Sequence, residues 1–176
     1  MSAAGPADPV VRPRTAADLP ACVSALAAVH ACDGYPTRWP ADPAGWLAPP
    51  GTAAAWVAQA PGREGAVAGH VALVRTPDGA LAALAGAAPD ALVTVSRLFV
   101  APGARGRGLA TSLLAVAVAR AAGGGLSAVL DVVEGTPAAA LYERLGWRLL
   151  ERRTAGWTLL DGRRPQELVY AAPPAP

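Results

Sequence analysis

The 176-residue chain has no lysine, no isoleucine and no asparagine, and it holds only two cysteines, two histidines and one phenylalanine. The three missing residue types share AT-rich codons, which points to a GC-rich genome rather than to a physical demand. All fifteen basic residues are therefore arginine. They are scattered along the sequence, and a net charge of +2 without a basic run gives nucleic-acid binding little support. Cys22, Cys32, His30 and His70 are too few to build a Cys/His zinc site, so no metal is expected, and the two thiols read as free in a reducing compartment. Long apolar runs are also missing: Leu113 to Ala119 falls well short of the ~20 residues of a membrane span. Residues 1–9 carry no apolar h-region. The expectation is a cytoplasmic protein that engages no membrane.

What is present is alanine, glycine and proline, with 53% apolar residues overall. The length suits one domain with a real core, expected over 10–171 between Pro/Ala-rich tails at 1–9 and 172–176. Val10-Val11-Arg12 predicts a strand. Thr15 and Asp18 then open a helix whose apolar positions Leu19, Val23, Leu26 and Val29 carry it to about His30. Five prolines break 33–51 into a loop with one short helix near Pro43–Leu47. Ala54–Ala58 and Val67–Val74 read as strands about a turn at 61–65, and Leu92–Val100 as a third, long strand. A helix over Gly108–Ala122 stops at three glycines, Val129–Val133 is a strand, and Thr136-Pro137 opens a helix that ends at Gly146. Trp147–Arg152 and Glu167–Ala171 complete the pattern around a turn near Asp161-Gly162. The alternation predicts an α/β domain with helices across a central sheet.

The chemistry gathers at Arg105-Gly106-Arg107-Gly108-Leu109-Ala110, between the end of a strand and the start of a helix. Amides at a helix start lack intrahelical acceptors and sit at the positive end of the helix dipole. Glycines there let a phosphate reach the backbone, and the arginines add charge, so the turn asks for an anion such as a pyrophosphate. A Walker loop needs a lysine, which the chain lacks, and a dinucleotide fingerprint needs glycine where Thr111 stands.

Arg-x-x-Gly-x-Ala after a strand resembles the CoA pyrophosphate loop of the GCN5-related N-acetyltransferases. Leu98-Phe99-Val100 before it and Ala138-Ala139-Ala140-Leu141-Tyr142-Glu143-Arg144-Leu145-Gly146-Trp147 after it resemble later segments of the same family. The resemblance implies a six- to seven-stranded, mostly antiparallel sheet flanked by about four helices, with strands 4 and 5 splayed. It implies acetyl-CoA as co-substrate and an amine as acceptor. Leu98, Phe99 and Val100 would offer backbone to the pantetheine arm. Arg105 through Ala110, with Thr111 and Thr136, would hold the cofactor.

By the same resemblance Tyr142 aligns with the tyrosine that protonates the departing CoA thiolate, a donor of reference pKa about 10 facing a thiolate of about 8.5. Two positions depart from the family pattern. Gly135 stands where many members have asparagine, and Thr94 where many carry a glutamate base. Asp131 on the fifth strand is the leading base, acting through water, and Glu134 is second; His70, Asp33 or a water chain remain. On the acceptor side the resemblance points to the loop after the first helix, with Asp33, Tyr35, Trp39 and Trp46, and to Ser96. Homodimerisation, common in the resembling family, is a further expectation, with the terminal strands and Trp157 as an edge. A CoA-binding sensor or assembly module without catalysis is the alternative to an enzyme, because the fourth-strand carboxylate is missing.

Overall fold

A computed structural model describes residues 10–59, 66–75 and 78–174. The tail at 1–9, the turn at 61–65 and residues 175–176 lie outside the described residues. The strands are β1 (Val11–Pro13), β2 (Thr52–Gln59), β3 (Val67–Val74), β4 (Leu92–Val100), β5 (Ser127–Val133), β6 (Arg148–Thr154) and β7 (Gln166–Ala171). The helices are α1 (Leu19–Asp33), α2 (Pro43–Leu47), α3 (Gly79–Ala85), α4 (Leu109–Gly123) and α5 (Pro137–Arg144).

The seven strands form one sheet in the order β1-β2-β3-β4-β5-β7-β6. β1 runs antiparallel to β2, and β7 runs antiparallel to both β5 and β6. β4 and β5 are parallel and pair over Leu92–Thr94 against Ser127–Val129, after which β5 continues on β7 alone. This is the mixed sheet with a splayed fourth and fifth strand that the resemblance implies. By contact density the chain divides into two compact units. The first holds the described residues up to Pro49, with Ala54–Ala72 and Arg97–Val116; the second holds Pro50–Ala53, Leu73–Ser96 and the residues from Ala117 onward.

In the first unit α1 buries Cys22, Ala25, Leu26 and Val29 against Leu47, Val57, Val67 and Phe99. Leu19 and Val23 sit at the margin of this cluster, so the buried stripe is rotated from the one the leucine and valine spacing suggests. Leu26 and Leu47 are fully buried, worth about 2 kcal/mol each. Thr15 opens a short 3-10 turn (Ala16–Asp18) that runs into α1, and the Asp18 carboxylate accepts from the Thr15 amide at 2.7 Å. Arg12 grips the same carboxylate with two bonds, of 2.8 and 2.6 Å, and holds its pKa far below the usual range. Both cysteines are free thiols, as expected: Cys22 is buried, which pushes its pKa up to about 11, and Cys32 is exposed.

In the second unit Ala82, Leu92, Val129 and Ala171 form a small core with Leu81, Ala85 and Leu150 at its edge. The sequence reading has no helix where α3 stands. Its start is marked by Asp78, whose carboxylate accepts from the Leu81 amide at 2.9 Å, and its end by Gly86 in the left-handed conformation.

Candidate active site

The turn expected to bind an anion lies in the first unit. β4 ends at Val100, a 3-10 turn covers Pro102–Ala104, and Arg105 is extended before the chain turns through Gly106 and Gly108, at φ 75° and 74°. Side chains are rarely tolerated at such φ values. A Cβ built at either glycine meets nothing within 4 Å among the described residues beyond its chain neighbours, so both backbones stand open. α4 follows with its first bond from Ser112 N–H to Gly108 O at 3.0 Å. Helix geometry therefore leaves the amides of Leu109, Ala110 and Thr111 without an intrahelical acceptor. Open glycines beside a fifteen-residue helix start fit the pyrophosphate of CoA.

The two arginines of the turn differ. Arg105 donates through Nε to Val100 O at 3.2 Å, and its guanidinium forms a two-pronged ion pair with Asp33 at the end of α1. The hydrogen bond lowers the Asp33 pKa and raises that of Arg105. Arg107 is exposed and has no ion pair among the described residues, so it is the arginine whose charge is available to a phosphate. Phe99 of β4 is buried, while Leu98 and Val100 are partly buried.

The aromatics expected on the acceptor side also lie in this unit. Trp46 meets Tyr35 edge-on, with centroids 6.0 Å apart, and Trp39 tilts against His30 at 5.3 Å. His30 is fixed by a 2.8 Å contact between Nδ1 and Pro36 O. Tyr35 and Trp39 keep over a third of their surface exposed. Asp42 caps α2 by accepting from the Gly45 amide at 2.9 Å, so neither Asp33 nor Asp42 is an uncommitted carboxylate.

His70 is fully buried, and both ring nitrogens are in use: Nε2 faces Arg14 Nη1 and Nδ1 faces Arg97 O, each at 2.9 Å. Phe99 stacks on its ring at 5.5 Å. This corrects the expectation of His70 as a base, because no lone pair is left to take a substrate proton. Burial holds its pKa down at about 4, and the nearby Arg14 and Arg97 charges act in the same direction. The unfolded chain takes up the proton near 6.5, so this group's contribution to stability is complete above pH 6.5 and is lost as pH falls toward 4. The loss amounts to about 3 kcal/mol. Urea titrations at pH 7 and pH 4.5 are expected to show this decline, and His70→Phe should flatten that part of the profile.

The second unit carries the other named groups. Thr136 caps α5: its hydroxyl donates to Val133 O at 2.8 Å and accepts from the Ala139 amide at 3.4 Å, so its side chain is occupied by the cap. Tyr142 is buried in α5, 5.5 Å from Trp147 and 6.3 Å from Tyr170 between ring centroids. Tyr170 donates to Glu143 Oε1 at 3.0 Å. Glu134 is ion-paired with Arg152. Asp131 is exposed on β5 opposite Val169. Thr94 and Ser96 are partly buried on β4.

Sequence reasoning missed Arg14 and Arg97. Arg97 has φ 56° in mid-strand, a conformation no residue-type rule assigns to arginine. The one available signal was a lone histidine inside the apolar run Val67–Val74.

Among solved structures, Arabidopsis thaliana NAA60 in complex with acetyl-CoA is similar over 93% of this chain and 97% of its own, with 20% identity and a TM-score of 0.73. A Brucella melitensis ribosomal-protein-alanine N-acetyltransferase shares 22% identity at a TM-score of 0.70, covering 92% of this chain and 98% of its own. The ribosomal-protein-S18-alanine N-acetyltransferase of Escherichia coli shares 20% at 0.68, over 94% and 93%. At such identities the likeness establishes the fold. No curated protein matches the sequence. The Acetyltransferase (GNAT) family model matches residues 25–147, well over half of the chain. The chain belongs to the GNAT acetyltransferase family.

Proposed function

We propose that the protein transfers the acetyl group of acetyl-CoA directly to an amine, and that the amine is a peptide or protein N-terminus or a small molecule. The observation that carries this reading is the open glycine turn at the start of α4 in a chain of this family. Two structural neighbours were solved with acetyl-CoA, and two are named as ribosomal-protein-alanine N-acetyltransferases, which favours an N-terminal acceptor. The reaction forms a C–N bond and breaks a C–S bond. One proton leaves the amine and one reaches the CoA sulfur. In this reading Arg107 and the amides of Gly108–Thr111 hold the pyrophosphate, and Leu98–Val100 face the pantetheine arm. Tyr142 gives the proton to sulfur, and Asp131 receives the amine proton through water. A cytoplasmic site of action fits the two free cysteines, and β6, last in the sheet and close in sequence to the exposed Trp157, is the edge on which a dimer would form.

Isothermal titration with acetyl-CoA, followed by thiol-release assays over free-amine peptides and small amines, tests the proposal. Binding with turnover is expected, and no heat at millimolar acetyl-CoA would sink it. One observation favours a non-catalytic CoA-binding module: His70, Asp33 and Glu134 are all committed to other partners. Tight binding without turnover on any amine would select that reading.

A further inference from the structure

α2 has five residues, too short to hold its shape alone, and its last carbonyls have no partner inside the helix. Two arginines from distant points of the chain supply them. Arg97 Nε donates to Trp46 O at 3.0 Å, and Arg14 Nη1 donates to Leu47 O at 2.7 Å. Both arginines also meet His70. Arginine has only donors, so His70 Nε2 must accept from Arg14, and the ring proton must sit on Nδ1, where it is donated to Arg97 O. The histidine is thus a neutral relay of fixed tautomer, accepting from one arginine and donating to the backbone of the other.

Arg97 is held at both ends by this arrangement. Its carbonyl takes the His70 proton, and its guanidinium lies 3.9 Å from the Trp46 ring centroid. A non-glycine residue at φ 56° persists only where its surroundings over-determine it, and these contacts do so. One face of Trp46 is therefore covered by a cation that belongs to the protein, while Tyr35 meets the ring edge-on.

We propose that Arg14, His70 and Arg97 form a clasp that fixes the end of α2, and with it the Trp46–Tyr35 wall, making them positioning residues for the acceptor. The acceptor part rests on the function proposed above; the clasp itself does not. It takes no part in proton transfer. It sets the wall before the acceptor arrives, which spares the acceptor the cost of ordering it. Arg97 also immediately precedes Leu98–Val100, so one strand residue begins the cofactor stretch and anchors the acceptor loop.

Arg14→Met removes the bond to Leu47 O and the bond to His70 together and touches neither the glycine turn nor Tyr142. Hydrogen exchange of amides 44–48 is expected to speed up at least ~10-fold, with 109–123 unchanged. With an alanine-initiated free-amine peptide as probe, KM is expected to rise ~10-fold while kcat and the acetyl-CoA Kd stay within about threefold. Arg14→Lys, which keeps one cationic donor, should recover part of both effects. Unchanged exchange at 44–48 would overturn the clasp whatever the turnover. Faster exchange with acceptor KM and acetyl-CoA Kd rising in parallel would reduce it to a general structural role and overturn its part in acceptor positioning. A wild type that transfers to no amine, with exchange responding as expected, would remove the function and the acceptor role while leaving the clasp in place.

Discussion

Gly108→Glu is expected to abolish acetyl-CoA binding in a chain that remains folded. The position has φ 74°, so any side chain strains the backbone by about 1–2 kcal/mol, a cost to stability that a full domain tolerates. Among the described residues no atom beyond its chain neighbours lies within 4 Å of a Cβ placed there, so the substitution meets no clash with them. The new carboxylate instead projects from the first amides of α4, into the space the proposal gives to the pyrophosphate. Like charge and occupied volume then act together, and the loss should exceed ~100-fold in Kd, roughly 3 kcal/mol or more. Calorimetric titration reads the affinity, and a thermal melt confirms the fold. Retained affinity would show that the turn is not where CoA sits. Arg107→Ala should weaken binding more than Arg105→Ala, because Arg105 is already held by Asp33.

The second large effect is on turnover. Tyr142→Phe is expected to lower kcat about 100-fold, the usual range for loss of a positioned proton donor, with little change in acetyl-CoA affinity. The phenyl ring keeps its packing against Trp147 and Tyr170, so the variant isolates the hydroxyl. Tyr170→Phe is the control. Its hydroxyl bonds to Glu143, and its pKa is raised first by burial and then by that bond, which marks a structural phenol. That variant should cost about 1 kcal/mol of stability and leave kcat in place. Equal effects of the two substitutions on kcat would assign Tyr142 to the aromatic cluster alone.

Where local chemistry dictates structure, the sequence was readable. Thr136-Pro137 opens α5, a run of three glycines closes α4, and the strand, turn and helix around Gly106 and Gly108 stand where their residues require. The family resemblance rested on that same stretch. α3 escaped notice because five of its seven residues are alanine or glycine, which carry little periodic signal; only its caps, Asp78 and Gly86, mark it. The place of β7 between β5 and β6 was not legible either, since strands close in sequence are expected to be neighbours. The candidate site divided in the same way. Backbone-encoded parts, the glycines and the helix start, could be read directly. Side-chain commitments could not: that Asp33 holds Arg105, that Glu134 holds Arg152, and that His70 is locked between two arginines depend on residues far apart in the chain.

The inserted β7 also governs the order in which the second unit is completed. β6 is made before β7, yet β7 is the neighbour of β6 in the sheet, and β5 pairs with β7 over all five residues from Val129 to Val133. A nascent chain that has emerged only as far as β6 thus exposes two strands whose common partner has not yet been synthesised. Pairing across so many residues is slow and leaves strand edges open to other chains. The sheet closes from within, and a ribosome that stalls between Thr154 and Gln166 would release a fragment prone to self-association rather than a shortened but stable domain.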